Sequence, residues 1–159
     1  MRTKLLTKIV PVVLAGGGYS DMVLGYSPIA YWPLWEASGA AAEDISGNGF
    51  DGAYTGVTLG QDGIGDGNTC PLFDGTNDFL DFYSAGFSSA FNGELGTIAF
   101  WMKVFNAGVW EDGISRILIK IGDGDASSIS IYKRTDNNNI RWVYDPEGSY
   151  EFLCIWGGK

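Results

Sequence analysis

Arg116-Ile-Leu-Ile-Lys-Ile-Gly-Asp-Gly-Asp-Ala-Ser-Ser-Ile-Ser-Ile-Tyr-Lys133 is the stretch on which the fold turns. Ile117, Ile119 and Ile121 alternate with Arg116, Leu118 and Lys120. After a Gly-Asp-Gly-Asp-Ala run the alternation resumes with Ile129 and Ile131. A period of two places one set of side chains on each face of a strand. Residues 122–126 have the composition of a turn, so the stretch is a β-hairpin.

The same pattern spreads outward. Residues 97–104 put Ile98, Phe100, Met102 and Val104 on one face and Thr97, Ala99, Trp101 and Lys103 on the other, which predicts a half-buried strand. Residues 140–144 and 150–156 are further strand candidates, joined by the turn Asp145-Pro-Glu-Gly148. In the first half, residues 29–34, 52–57, 71–73 and 79–83 are short apolar or aromatic runs bounded by Gly, Asp, Asn or Pro. Glycines recur from Gly16 to Gly67 and oppose helix formation, so residues 37–44 are the best helical candidate. Strands at such intervals predict an all-β protein, an antiparallel β-sandwich of jelly-roll type.

Composition bounds the rest. The 159 residues include 24 Gly and are 45% hydrophobic, enough for one domain with a core. Histidine is absent, so neither a Ser-His-Asp or Cys-His pair nor a His-ligated zinc site can be built. The net charge is −9, and no Lys or Arg lies between Lys8 and Lys103. That surface excludes nucleic acid, whose phosphates need clustered cations. It suits solubility first, and cations or neutral polar ligands second.

Residues 1–20 carry Arg2, Lys4 and Lys8 ahead of an apolar run broken by Pro11, and are read as a retained N-terminal arm or strand before a domain at 21–159. No run is long enough for a membrane span. There is no N-x-S/T glycosylation acceptor, and Cys70 and Cys154 permit one disulfide without demanding it.

Three motifs fail on context. Gly47-Asn-Gly49-Phe-Asp-Gly52 matches G-x-G-x-x-G, but the glycine-punctuated residues 52–60 cannot make a helix and Leu72 stands where an acid is needed. Asp123-Gly-Asp125 opens like a calcium loop, yet Ser128 and Arg134 occupy the positions that require Gly and Glu. Carboxylates at 43–44, 111–112, 78 and 81 do not alternate on one strand face as a glycosidase pair would, so no catalytic residue is assigned and the chain is read as a non-enzyme.

Pro28-Ile-Ala-Tyr-Trp-Pro-Leu-Trp-Glu36, Asp44-Ile-Ser-Gly-Asn-Gly49, Leu72-Phe-Asp-Gly75 with Asn77-Asp78-Phe79-Leu80, and Gly96-Thr-Ile-Ala-Phe-Trp101-Met-Lys103 together resemble laminin-G-like, concanavalin A-like jelly-roll domains. The resemblance covers about 75 residues, and the family's later strands have no counterpart before Lys159. It leaves open a fragment or a sheet completed by a neighbour. The acids then have two possible uses. In the structural one, Asp44 and Asp74 cap their own turns and Tyr31, Trp32, Trp35 and Trp101 pack in the sandwich. In the functional one, Asp44, Asn48, Asp74 and Asp78 converge on calcium, an ion that related jelly rolls hold.

The leading functional expectation is a recognition module for glycans or a protein surface, with Trp110, Trp142, Tyr144 and Tyr150 beside polar loops as ligand-binding residues. The alternative is a structural assembly protein of a virion, a bacteriophage tail or head component, or of a surface layer, self-associating or joined to other subunits. Either places the chain on a virion, outside the cell or at its surface.

Overall fold

The computed structural model describes residues 18–92, 95–104, 107–122, 128–135 and 139–145. Two compact units divide the chain, Met1–Ala99 and Phe100–Lys159. Among the described residues, strands in antiparallel sheets dominate and the helices are short. The protein is all-β.

The described part of the first unit begins with helix α1 (Tyr19–Leu24), followed by residues 30–35, which have no regular secondary structure and take a positive φ of 60° at Leu34. Strands β1 (Ala41–Ala42), β2 (Gly52–Thr55) and β5 (Phe79–Asp81) form one sheet in the order β1-β2-β5. Its register pairs Ala41 with Ala53, Tyr54 with Leu80 and Thr55 with Phe79. Strands β3 (Thr58–Asp62) and β4 (Thr69–Leu72) form a separate hairpin whose register slips between Thr58 and Gln61. Helix α2 (Ala85–Ala90) comes next, capped by the Ser84 hydroxyl, which accepts the Phe87 amide proton at 3.0 Å.

Aromatic rings make this unit's core. Phe87 is buried, with ring centroids 5.8 Å from Trp32, 5.8 Å from Phe50, 5.6 Å from Phe82 and 5.7 Å from Phe91. Such tilted, edge-on and stacked pairs add to the area they bury. Gly86 is held to its size here, because a Cβ would come within 2.9 Å of the Phe50 ring.

The second unit holds helix α3 (Ala107–Glu111) and strands β6 (Arg116–Gly122), β7 (Ser128–Lys133) and β8 (Ile140–Asp145), in sheet order β6-β7-β8. Gly122 pairs with Ser128 at the end of the antiparallel β6-β7 ladder, and the rest of the predicted turn, residues 123–126, lies outside the described residues. Ile119 faces Ile131 and Trp142 across the sheet, and Ile121 faces Ile129 and Tyr144. Ile129 and Ile131 are buried at its centre.

Several expectations are corrected. Residues 37–44 are not a helix: Gly39 turns the chain at φ +112°, Ala40 O accepts the Tyr54 amide, and Ala41–Ala42 join a sheet. Small side chains that favour a helix also let a strand close tightly, and Ala42 ends fully buried. Residues 29–34 and 97–104 form no strand. In the latter both alternating sets reach solvent, Trp101 is 69% exposed, and the boundary between the units falls inside the segment. Alternation makes a strand only where a partner ladder takes up its N–H and C=O groups. Trp101 is therefore not a core residue.

The predicted strand at 150–156, Tyr150 and Cys154 lie outside the described residues. Cys70, on β4, is a free thiol with Sγ 3.2 Å from Asp62 O. No helix of the described residues is long and apolar enough to cross a membrane.

Candidate functional site

The turn after Asp44 is built by that residue's own carboxylate. Oδ1 accepts the amides of Tyr31 and Ser46, each at 2.9 Å, and Oδ2 accepts the Ser46 hydroxyl and the Phe50 amide, each at 2.9 Å. Gly47 and Gly49, at φ +92° and +73°, supply the left-handed backbone that folds Phe50 back onto it. The structural reading of Asp44 as a turn cap is what the geometry shows.

Asp44 is buried, and desolvation is the largest single influence on its carboxyl, pushing its pKa up. The donors from Tyr31, Phe50 and Ser46 together outweigh burial and hold the group below the ordinary carboxylate range. Asn48 lies in the same turn, its Nδ2 donating to Ile29 O at 2.9 Å. Trp32 Nε1 closes the arrangement by donating to Phe50 O at 2.7 Å.

Asp74 and Asp78 form a second, exposed turn. Asp74 Oδ1 accepts the Thr76 amide at 2.7 Å, and Asp78 Oδ2 accepts the Asp74 amide at 2.9 Å. Asp44, Asp74 and Asp78 thus accept donors of their own turns, Asp44 the Tyr31 amide as well, and the Asn48 amide nitrogen is held by Ile29 O. Among the described residues no group of three or more acidic or cysteine side chains is placed to share an ion.

Two acids missed by motif reading hold other segments together, Glu36 in the first unit and Asp112 in the second. Glu36 Oε1 accepts the Glu43 amide and Oε2 the Tyr54 hydroxyl, both at 2.9 Å. Burial, then the Glu36 carboxylate, push the Tyr54 phenol far above its usual range, so it remains a donor.

In the second unit a β-bulge decides which side chains share a face. Ile117 pairs with Tyr132 and Ile119 with Ile131, so Leu118 is the extra residue in β6. Ile117 is thereby turned away from Ile119 and Ile121 and stands 65% exposed. Arg116 instead joins the apolar face, opposite Lys133.

Lys133 is 2% exposed. Its Nζ donates to Asp112 Oδ1 at 2.9 Å and Ile114 O at 3.0 Å. Arg116 grips the same carboxylate, Nη1 to Oδ1 at 2.9 Å and Nη2 to Oδ2 at 2.5 Å. The Arg116 hydrogen bonds, then that of Lys133, drive the Asp112 carboxyl well below the usual range. Charge-assisted bonds of this kind are the strong ones. No sequence motif marks this cluster, because its three members meet only once the bulge has set the register.

The ligand-binding candidates divide. Trp142 and Tyr144 are two apart on β8, the outermost strand of its sheet among the described residues, on the face shared with Ile131 and Ile129. Trp142 is 41% exposed and Tyr144 half-buried. Trp110 is half-buried on α3. The structure therefore places Trp142 and Tyr144 side by side along one strand. No family model matches the chain, and neither the curated proteins nor the solved structures hold a match to it.

Proposed function

We propose that this chain is a non-enzymatic recognition module, a β-sandwich of the laminin-G-like jelly-roll kind, binding a neutral glycan at a cell or virion surface. The observation that supports it is Trp142, 41% exposed on β8, the outermost strand of its sheet among the described residues, with Tyr144 next along the same face. An indole at a sheet edge offers a flat apolar face for a sugar ring while its rim stays wet. The polar, acidic character of the chain favours an uncharged ligand over a polyanion.

Titrating the full chain with a panel of neutral oligosaccharides, with calorimetry as the readout, tests this. Binding that weakens about tenfold or more in Trp142→Ala supports it, as aromatic anchors dominate such contacts. Saturable binding unchanged by that substitution, or no binding to any member, overturns the site. Running each titration with calcium and with a chelator tests the ion at Asp44, Asn48, Asp74 and Asp78.

One observation favours the assembly reading as a second proposal. Phe100, Trp101 and Met102 are exposed in succession in the second unit. Apolar side chains so concentrated suit contact with another subunit. Light scattering across a concentration series decides it: a defined oligomer supports assembly, and a monomer throughout removes it.

A further inference from the structure

Residues 28–33 are a strap fastened to the Asp44 turn. The residues flanking it, Ser27 and Leu34, take positive φ values of 50° and 60°, a conformation that residues other than glycine hold only where their surroundings impose it. The fastenings come from residues 44–50. Tyr31 N donates to Asp44 Oδ1 at 2.9 Å, Ile45 N to Tyr31 O at 3.0 Å and Trp32 Nε1 to Phe50 O at 2.7 Å. Ile29 O accepts from Asn48 Nδ2 at 2.9 Å, and Ser46 Oγ lies 3.3 Å away. The Ser46 hydroxyl has a single proton, which Asp44 Oδ2 takes at the shorter distance of 2.9 Å, so Asn48 is the donor that holds Ile29.

We propose that Asn48-Gly49 is a site of spontaneous deamidation, and that the reaction unfastens the strap at Ile29. Both residues are exposed, and the Gly49 N–H makes no hydrogen bond among the described residues, so its nitrogen can turn on the neighbouring side chain. Gly49 stands at φ +73° and has no Cβ to obstruct the approach. Gly49 N, giving up its proton, attacks Asn48 Cγ; the Cγ–Nδ2 bond breaks, and Nδ2 leaves as ammonia while a five-membered imide closes. Water then opens the imide at either carbonyl, giving aspartate or its β-linked isomer. Water is the sole co-reactant, and no electrons are exchanged.

The consequence follows from what replaces the amide. A carboxylate only accepts hydrogen bonds, so Ile29 O loses its donor and meets an anion, as does Pro28 O, 3.5 Å from Nδ2. The new charge also enters the turn of the buried Asp44 carboxylate, and like charges oppose one another there. Refolding does not restore the amide, so the change runs one way. Trp32 keeps its bond to Phe50 O and its packing on Phe82 and Phe87, at centroid distances of 5.0 and 5.8 Å. The release therefore begins at Ile29, loosens Tyr31 and spares the aromatic core.

Ageing the full chain in mildly alkaline buffer, with ion-exchange separation of the charge variants and peptide mass spectrometry, tests the proposal. Asn48 should convert at least about tenfold faster than Asn68 and Asn77, which precede Thr69 and Asp78, a ratio equivalent to a barrier about 1.4 kcal/mol lower. In molecules converted at Asn48, amide exchange at Tyr31 and Ile45 should run about tenfold faster than in intact molecules of the same sample, with that at Phe91 unchanged. Molecules converted only at Asn92-Gly93, the other Asn-Gly pair of the chain, gain the same charge and should keep the intact rate at Tyr31. Conversion of Asn48 no faster than that of Asn68 and Asn77 overturns the proposal. So does a Tyr31 rate that conversion at Asn48 leaves unchanged, or that conversion at Asn92 raises equally.

Discussion

Each unit of the molecule is organised around a carboxylate, and the two are held by opposite means. Asp44 is buried and surrounded by neutral donors, three backbone amides and one hydroxyl, within twenty residues of chain. Asp112 stays at the water's edge and gathers two cations, Arg116 and the buried Lys133, from different strands. A carboxylate that caps its own turn can be read from Asp-x-Ser-Gly-x-Gly. One that satisfies a buried lysine depends on a register that local sequence does not print.

The sharpest way to break the comparison is Asp44→Ala. It leaves the Tyr31, Ser46 and Phe50 amides without their acceptor, and the expected cost is about 3 to 5 kcal/mol in chemical denaturation, since each unsatisfied buried group costs about 1 to 3. A loss under about 1 kcal/mol would mean water replaces the carboxylate freely.

Asp112→Asn ranks next. The buried Lys133 loses its counter-charge, and amide exchange should accelerate in β6 and β7 while the aromatic core of the first unit is unaffected. Adding Lys133→Met should recover most of the loss, because an apolar side chain of similar length needs no anion. Failure of that rescue would show that the cluster does more than neutralise one lysine.

Acid should expose both nodes. Asp44 and Asp112 have folded-state pKa values below the ordinary 3.8, so the unfolded chain takes up protons first as pH falls. Their stabilisation is fully present above that value and is lost as pH drops through the folded values. The melting temperature should therefore vary little on their account between pH 7 and about 5 and fall steeply below about 4, less steeply in Asp112→Asn.

Two smaller effects sharpen the picture. Gly56→Ala places a methyl group on Asp78 Oδ1 at a position where φ is +76°, and should cost about 1 to 2 kcal/mol. Ile117→Thr should change stability by less than about 0.5 kcal/mol, as an exposed surface substitution does. Unbroken alternation would make Ile117 a core residue, so a cost above about 2 kcal/mol would remove the bulge.

Much of the strand content was legible. Residues 128–133 coincide with β7, and β2, β5, β6 and β8 lie within a residue or two of their predicted bounds, because period-two alternation and turn chemistry are local properties. Strand β3 was missed and β4 overlaps the predicted run 71–73 only at Pro71 and Leu72, since Gly60 and Pro71 interrupt the pattern. Short helices α2 and α3 escaped notice because six and five residues give no periodicity to detect. For the candidate site, the same-face placement of Trp142 and Tyr144 follows from the predicted strand at 140–144, but the pairing of Trp142 with Ile131 could not be read from it.

By itself, the sequence determined the all-β class and the exclusion of histidine chemistry, since composition and local pattern suffice for these, and it left Asp44 open between a self-capping turn and a calcium ligand. Only the tertiary structure decided that Ala41–Ala42 is a strand, that residues 97–104 are not, and that Lys133 meets Asp112. Those outcomes rest on pairing between segments far apart in the chain. A strand's alternation says which faces it has, and its partner says whether they are used.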